Sequence, residues 1–283
     1  MHVFEQIAPL RASLREARAE GKSVGLVPTM GALHEGHLSL IRRARAENGV
    51  VVVSLFVNPT QFGPNEDFSR YPRAFERDRQ LTEAEGVDAL FAPSVEEMYP
   101  PGFQTFVDVP NLGSILEGAH RPGHFRGVAT VVTKLLQIVQ PARAYFGRKD
   151  YQQLCIIRRL VRDLDIPTEI VPCPTVREPD GLAMSSRNAY LSAEERREAT
   201  VLYRALQLAQ TRVREGARDP LALQREMETL ISSEPHASID YVALVDPDTL
   251  QPVADLAASP TLAALAVRIG KTRLIDNLLL TPS

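Results

Sequence analysis

Short apolar runs alternate along this chain with stretches in which apolar residues return every three or four positions. Val24-Gly25-Leu26-Val27 is a run stopped by Pro28, and Leu38, Leu40, Ile41 and Ala44 then recur at helical spacing, which predicts strand, loop and helix. Residues 50–57 form a continuous, mostly β-branched run ended by Asn58-Pro59, as in a strand covered on both faces of a parallel sheet. Residues 75–85 read as a helix and 87–93 as another buried strand. After an irregular stretch come an apolar helix at 127–140, a strand at 142–146, a helix at 151–165 and an extended segment at 168–173. Strands alternating with helices predict an α/β fold, a Rossmann-like doubly wound parallel sheet whose ligands bind beyond the carboxyl ends of the strands. The pattern breaks at 174–181. Two helical stretches, 193–214 and 221–233, are then followed by extended segments at 238–245 and 261–269. That order suits a second, smaller α+β domain, and we place the boundary near residue 175, giving domains 1–175 and 176–283.

The length of 283 residues suits two domains. A formal net charge of −3 gives no overall attraction to polyanions, which argues against a nucleic-acid or membrane-surface footprint and makes any anion site a local cluster. The chain opens without a cationic leader, and no apolar run nears the roughly 20 residues that span a bilayer, so a cytoplasmic protein is expected. The two cysteines, Cys155 and Cys173, lack metal or redox spacing and are expected to be buried thiols.

Candidate chemistry falls in four clusters. The loop Pro28-Thr29-Met30-Gly31-Ala32-Leu33-His34-Glu35-Gly36-His37 leaves a strand and opens a helix, where backbone N–H groups and the dipole favour phosphate. It has no P-loop lysine, so the charge must come from elsewhere. His34 and His37, three apart, can face one side as donors to phosphoryl oxygens; a helix cap beside a surface residue is the plainer alternative, and a zinc pair a third. Phe146-Gly147-Arg148-Lys149-Asp150-Tyr151-Gln152-Gln153 repeats the strand-to-helix geometry, with Lys149 as a mobile charge and Gln153 as a neutral amide, or is a solvated turn. Gly181-Leu182-Ala183-Met184-Ser185-Ser186-Arg187-Asn188 offers two hydroxyls and a guanidinium for a triphosphate under a mobile lid, or loop and cap residues before the helix after Leu191. Asn58-Pro59-Thr60-Gln61-Phe62 places amides past a strand end, suited to an uncharged, hydroxyl-bearing substrate or to turn formation alone. His120 to Arg126 is a further polar loop with conceivable anion contacts. Three of the four clusters fall past predicted strand ends of one sheet, which favours a common site.

These residues carry a resemblance. His34-Glu35-Gly36-His37 matches an H-x-G-H motif, and Met184-Ser185-Ser186-Arg187 resembles an M-S-K-S motif. With the 28–37 and 146–153 segments, they make the whole chain similar to the pantothenate synthetases of the nucleotidyltransferase superfamily. The resemblance implies an AMP-forming ligase of coenzyme A supply. Such an enzyme joins (R)-pantoate to β-alanine with ATP as substrate and Mg²⁺ as cofactor, through a pantoyl adenylate, and works as a homodimer. It also implies that Met30 to His37, Gly147, Arg148, Lys149, Asp150, Val176, Met184, Ser185, Ser186 and Arg187 hold ATP. Gln61 and Gln153, with Asn58, would hold pantoate and β-alanine; His37, His34 and Lys149 would be catalytic, His37 as proton donor. No metal-ligating side chain is assigned: where some relatives carry an acidic run, Arg77 interrupts Glu76-Arg77-Asp78. Adenylyl transfer to a phosphate ester, or nucleotide binding without catalysis, are the rival readings.

Overall fold

In the computed structural model, which describes all residues except 65, 67 and 283, the chain divides into two compact units, Met1–Arg148 with Gln153–Pro174 and Lys149–Gln152 with Thr175–Ser283. In chain order the first elements are β1 (His2–Phe4), α1 (Ile7–Ala19), β2 (Val24–Thr29), α2 (Glu35–Glu47), β3 (Val50–Leu55), α3 (Phe75–Ala84) and β4 (Ala89–Phe91). Single-turn helices α4 (Val95–Met98), α5 (Pro110–Gly113) and α6 (Glu117–His120) precede α7 (His124–Val139), β5 (Arg143–Gly147), α8 (Tyr151–Asp163) and β6 (Glu169–Cys173).

The six strands of the first unit are all parallel, in the order β1-β4-β3-β2-β5-β6. Leaving out β1, the order is third, second, first, fourth, fifth, that of a doubly wound sheet with its switch point between β2 and β5. Alternate residues feed two cores, as the strand period of two requires. Val50 and Val52 join Leu10 and Leu14 of α1 and the apolar face of α7, whereas Val51 and Val53 join Leu40, Ile41 and Ala44 of α2. Both faces are therefore covered, and the β-branched runs are explained.

The second unit holds α9 (Ala193–Glu198), α10 (Val201–Arg214), α11 (Pro220–Ile231) and an antiparallel sheet β7-β8-β9 (Ala237–Val245, Thr261–Ile269, Thr272–Leu280). Its core joins Leu202, Leu206 and Met227 to Leu265 and Val267 of the central strand. Two expectations change here. The helix predicted over 193–214 breaks at Ala199-Thr200, where the Thr200 hydroxyl donates to the Arg197 carbonyl at 2.8 Å and the turn tightens. The break leaves the buried Glu198 carboxylate accepting from the main-chain N–H of His236 and lying 2.9 Å from its Nδ1. Strand β9 was not foreseen, because Asp276 and Asn277 interrupt its apolar pattern; both are buried.

Candidate active site

The loop after β2 is built from left-handed backbone. Gly31 has φ +83° and Ala32 φ +51°, a conformation that costs an alanine about 1 kcal/mol. Asp78, on the first turn of α3 and 2 % exposed, offsets that strain: its carboxylate accepts from the N–H groups of Ala32 at 2.8 Å and Leu33 at 2.9 Å. The Gly31 N–H goes to Thr29 Oγ1 at 3.2 Å. The expectation of open backbone donors is thereby corrected, since Gly31, Ala32 and Leu33 spend theirs inside the unit.

The histidines take the next two. His34 is the N-cap of α2, its Nδ1 accepting from the Gly36 N–H at 3.1 Å, while His37 Nδ1 accepts from the His34 N–H at 3.3 Å. The two rings are 4.2 Å apart, tilted by 43°. A neutral imidazole that accepts at Nδ1 carries its proton at Nε2, so this network assigns the Nε2–H tautomer to both. The cap and the donor pair are thus one arrangement. The Glu35 side chain pairs instead with Arg42 at 2.7 Å on the surface.

Past β3, the Asn58 amide is consumed internally. Its Oδ1 accepts from the Thr60 N–H, the Thr60 hydroxyl and the Tyr99 hydroxyl, and its Nδ2 donates to Gln61 Oε1 at 3.0 Å and the Gly127 carbonyl at 3.1 Å. With both donors used, the Asn58 side chain orients Gln61 and spends its amide hydrogens within the unit. Gln61 keeps Nε2 directed at Met30 Sδ, 3.1 Å away, linking this turn to the histidine loop. Above it, α7 approaches so closely that a Cβ on Gly127 would lie 2.3 Å from the Thr60 carbonyl oxygen.

Arg121 was expected as a possible anion contact. It is bound instead to Glu66 at 2.6 Å and donates toward His124 Nε2 at 3.1 Å, while His124 Nδ1 donates to the Gln61 carbonyl at 2.8 Å. Burial, then the Arg121 charge, pushes the His124 pKa down to about 4. Burial raises the Glu66 carboxyl, but the ion pair with Arg121 outweighs it and the net shift is down. Arg121 thus faces two carboxylates, Glu66 and, at 3.6 Å, Glu117, beside a neutral imidazole that holds the Gln61 main chain.

Strand β5 runs into the turn Arg148–Asp150, with Arg148 exposed, Lys149 half-buried and Gln153 half-buried on the first turn of α8. Lys149 Nζ stands 3.9 Å from Asp150. In the 176–188 loop, Arg177 and Ala183 form an antiparallel bridge, Met184 N–H donates to the Val176 carbonyl at 3.0 Å, and Ser185 Oγ accepts from Arg187 N–H at 3.3 Å. Ser185 therefore caps the short turn Ser186–Tyr190; the cap of α9 is Ser192. Sequence reasoning named Asp78 and the 120–126 loop but missed what they do, namely that Asp78 holds the 31–33 loop and His124 the Gln61 carbonyl, and it missed the buried pair Arg177–Asp276; in each case the partner is distant in sequence.

Among the described residues no group of three or more His, Cys, Asp or Glu side chains could hold a metal ion. Both Asp78 oxygens are already spent on the 31–33 loop, so the residues present do not fit a protein-held Mg²⁺ there. Both cysteines are buried and form no disulfide. Among the described residues no helix is long and apolar enough to cross a membrane.

The family model for pantoate-beta-alanine ligase matches residues 2–279. The chain belongs to the pantoate-β-alanine ligase family. It is 59 % identical over 280 residues to the pantothenate synthetase of Moorella thermoacetica, covering 99 % of each chain, and 61 % identical to that of Roseiflexus castenholzii with the same coverage. The crystal structure of pantothenate synthetase from Thermus thermophilus superposes with a TM-score of 0.95 at 53 % identity, covering 100 % of both chains. The pantoate-beta-alanine ligase of Francisella tularensis, solved in complex with beta-gamma ATP and beta-alanine, matches with a TM-score of 0.81 at 40 % identity, covering 99 % of this chain and 97 % of that one. This ligase thus shares the fold and length of its family.

Proposed function

We propose that the ligase condenses (R)-pantoate with β-alanine through a pantoyl adenylate. A pantoate carboxylate oxygen attacks the α-phosphorus of ATP, the α–β bridging bond breaks, and pyrophosphate leaves. The β-alanine amine then attacks the acyl carbon, the acyl–oxygen bond breaks, and AMP leaves while the amine gives up a proton. The carboxylate is already ionised, so the first step asks for alignment and for stabilisation of crowded negative charge rather than for a strong base.

The observation that carries this reading is the histidine pair, two Nε2–H donors fixed at the start of α2 by their own helix cap. His34 and His37 donate to phosphate oxygens, with His37 as the proton donor, and Lys149 supplies the cation that the loop lacks. Residues 30–37, 147–150, Val176 and 184–187 bind ATP; Gln61 and Gln153 bind pantoate, Gln61 also lying near β-alanine. The relative from Francisella tularensis, described with an ATP ligand and β-alanine together, supports this substrate set. Mg²⁺ arrives as the counterion of ATP, and no step is assigned to it. We place the enzyme in the cytoplasm as a homodimer; sedimentation of the purified protein tests the dimer.

Carboxylate-¹⁸O pantoate tests the intermediate, because attack on the α-phosphorus leaves one label atom in AMP. Label appearing in AMP in step with pantothenate is the expected result. Label found only in pantothenate or in inorganic phosphate overturns the adenylate, and pyrophosphate exchange into ATP that does not respond to pantoate would favour the phosphate-ester rival.

A further inference from the structure

We propose that Asp276 and Asn277, consecutive residues of β9, are positioning residues that lock the Lys149 backbone and the 176–187 loop into one rigid piece. The proposal rests on the reading of Lys149 and of residues 176 and 184–187 as ATP contacts.

Consecutive strand residues face opposite sides, so β9 can hold a different segment on each. On one side, the Asp276 carboxylate, 3 % exposed, forms a bidentate pair with Arg177 at 2.6 and 3.0 Å and also accepts the Asn277 N–H at 2.8 Å. Arg177 in turn donates to the Gly181 carbonyl at 3.0 Å and lies 4.2 Å over the Tyr203 ring, so one guanidinium staples both ends of the 177–181 turn to β9 and α10. Gly181, at φ +92°, has no room for a Cβ against Tyr203. On the other side, Asn277, 8 % exposed, donates from Nδ2 to the Lys149 carbonyl at 2.7 Å.

A buried ion pair adds little net stability compared with apolar groups of like shape, whereas a forked carboxylate–guanidinium pair fixes direction. Two consecutive polar residues set between apolar neighbours, Leu274-Ile275 and Leu278-Leu279-Leu280, and each spent on a segment that carries a proposed phosphate contact, fit a need for geometry. The clamp keeps the Lys149 backbone and the Ser185-Ser186-Arg187 segment at a constant spacing, so that both meet one triphosphate without reordering of the main chain.

The test is pantoate-dependent pyrophosphate exchange with purified full-length variants, read as KM for ATP, KM for pantoate, kcat and Tm. Asn277→Ala removes one half of the clamp. Arg177→Met with Asp276→Leu removes the other and, by exchanging both partners for apolar groups, avoids the unpaired charge that would unfold a single variant. Each is expected to raise KM for ATP by about tenfold or more, a misplacement effect, with KM for pantoate within about twofold. Lys149→Ala runs beside them. If Lys149→Ala leaves KM for ATP unchanged, the ATP-site reading fails. If Lys149→Ala raises it while Asn277→Ala and the double variant do not, or if activity falls only in proportion to lost folded protein, the clamp is overturned.

Discussion

The two units fix their polar residues by different means. In the parallel-sheet unit the 29–37 loop and the 58–61 turn are set by main chain: strands end side by side, and Asp78, Asn58 and His124 each hold a backbone amide or carbonyl. In the second unit no such row of strand ends exists among the described residues, and the 176–188 loop, closed on itself by main-chain bonds, is tied to a strand far along the chain by a side-chain ion pair. Main-chain anchoring places groups wherever the sheet ends; side-chain anchoring places them wherever one pair can reach. The first is inherited with the fold, and the second has to be built residue by residue.

The sharpest way to break this comparison is to overfill the two glycine contacts. Gly127→Ala drives a Cβ into the Thr60 backbone, which cannot give way, and should cost about 3 kcal/mol in urea unfolding and raise KM for pantoate. Gly181→Ala meets the Tyr203 ring instead and should raise KM for ATP; the same KM shift in both variants would abolish the distinction.

Next in size is the pH response of His124. Its folded pKa, about 4, lies below the ordinary histidine value, so the stability it contributes is complete above about pH 6.5 and is lost as pH falls toward 4. Between pH 7 and 4.5 the wild type should lose about 2–3 kcal/mol more than His124→Asn, measured by urea unfolding at both pH values. Asp78→Asn, which leaves one of the Ala32 and Leu33 amides without an acceptor, should cost about 1–2 kcal/mol and reduce pyrophosphate exchange. The smallest effect belongs to Glu35→Ala. Its exposed pair with Arg42 should contribute under about 0.5 kcal/mol, measured by urea unfolding.

The central strands were legible in the sequence because burial on both faces leaves an apolar run that needs no partner to be recognised, as at Val50 to Val53. Strand β9 was not, because the two residues that give it a special task also break its pattern. Helix α1 escaped because Arg and Glu dominate its surface and only Leu10 and Leu14 are buried. The histidine pair and the 58–62 turn were legible by spacing. Their supports were not: nothing near Asp78 or Arg121 in the chain reveals that one will fill the loop's amides and the other will be spent on Glu66.

Asp78 has one more consequence. The loop that looks like a phosphate cradle already contains its own anion, tethered within the fold at an effective concentration on the order of millimolar or above. A free sulfate or carboxylate cannot easily compete for those amides, so an inhibitor that mimics phosphate would gain nothing by reaching for them. Its affinity would have to come from the imidazole N–H groups of His34 and His37, which the same loop holds by their other nitrogens.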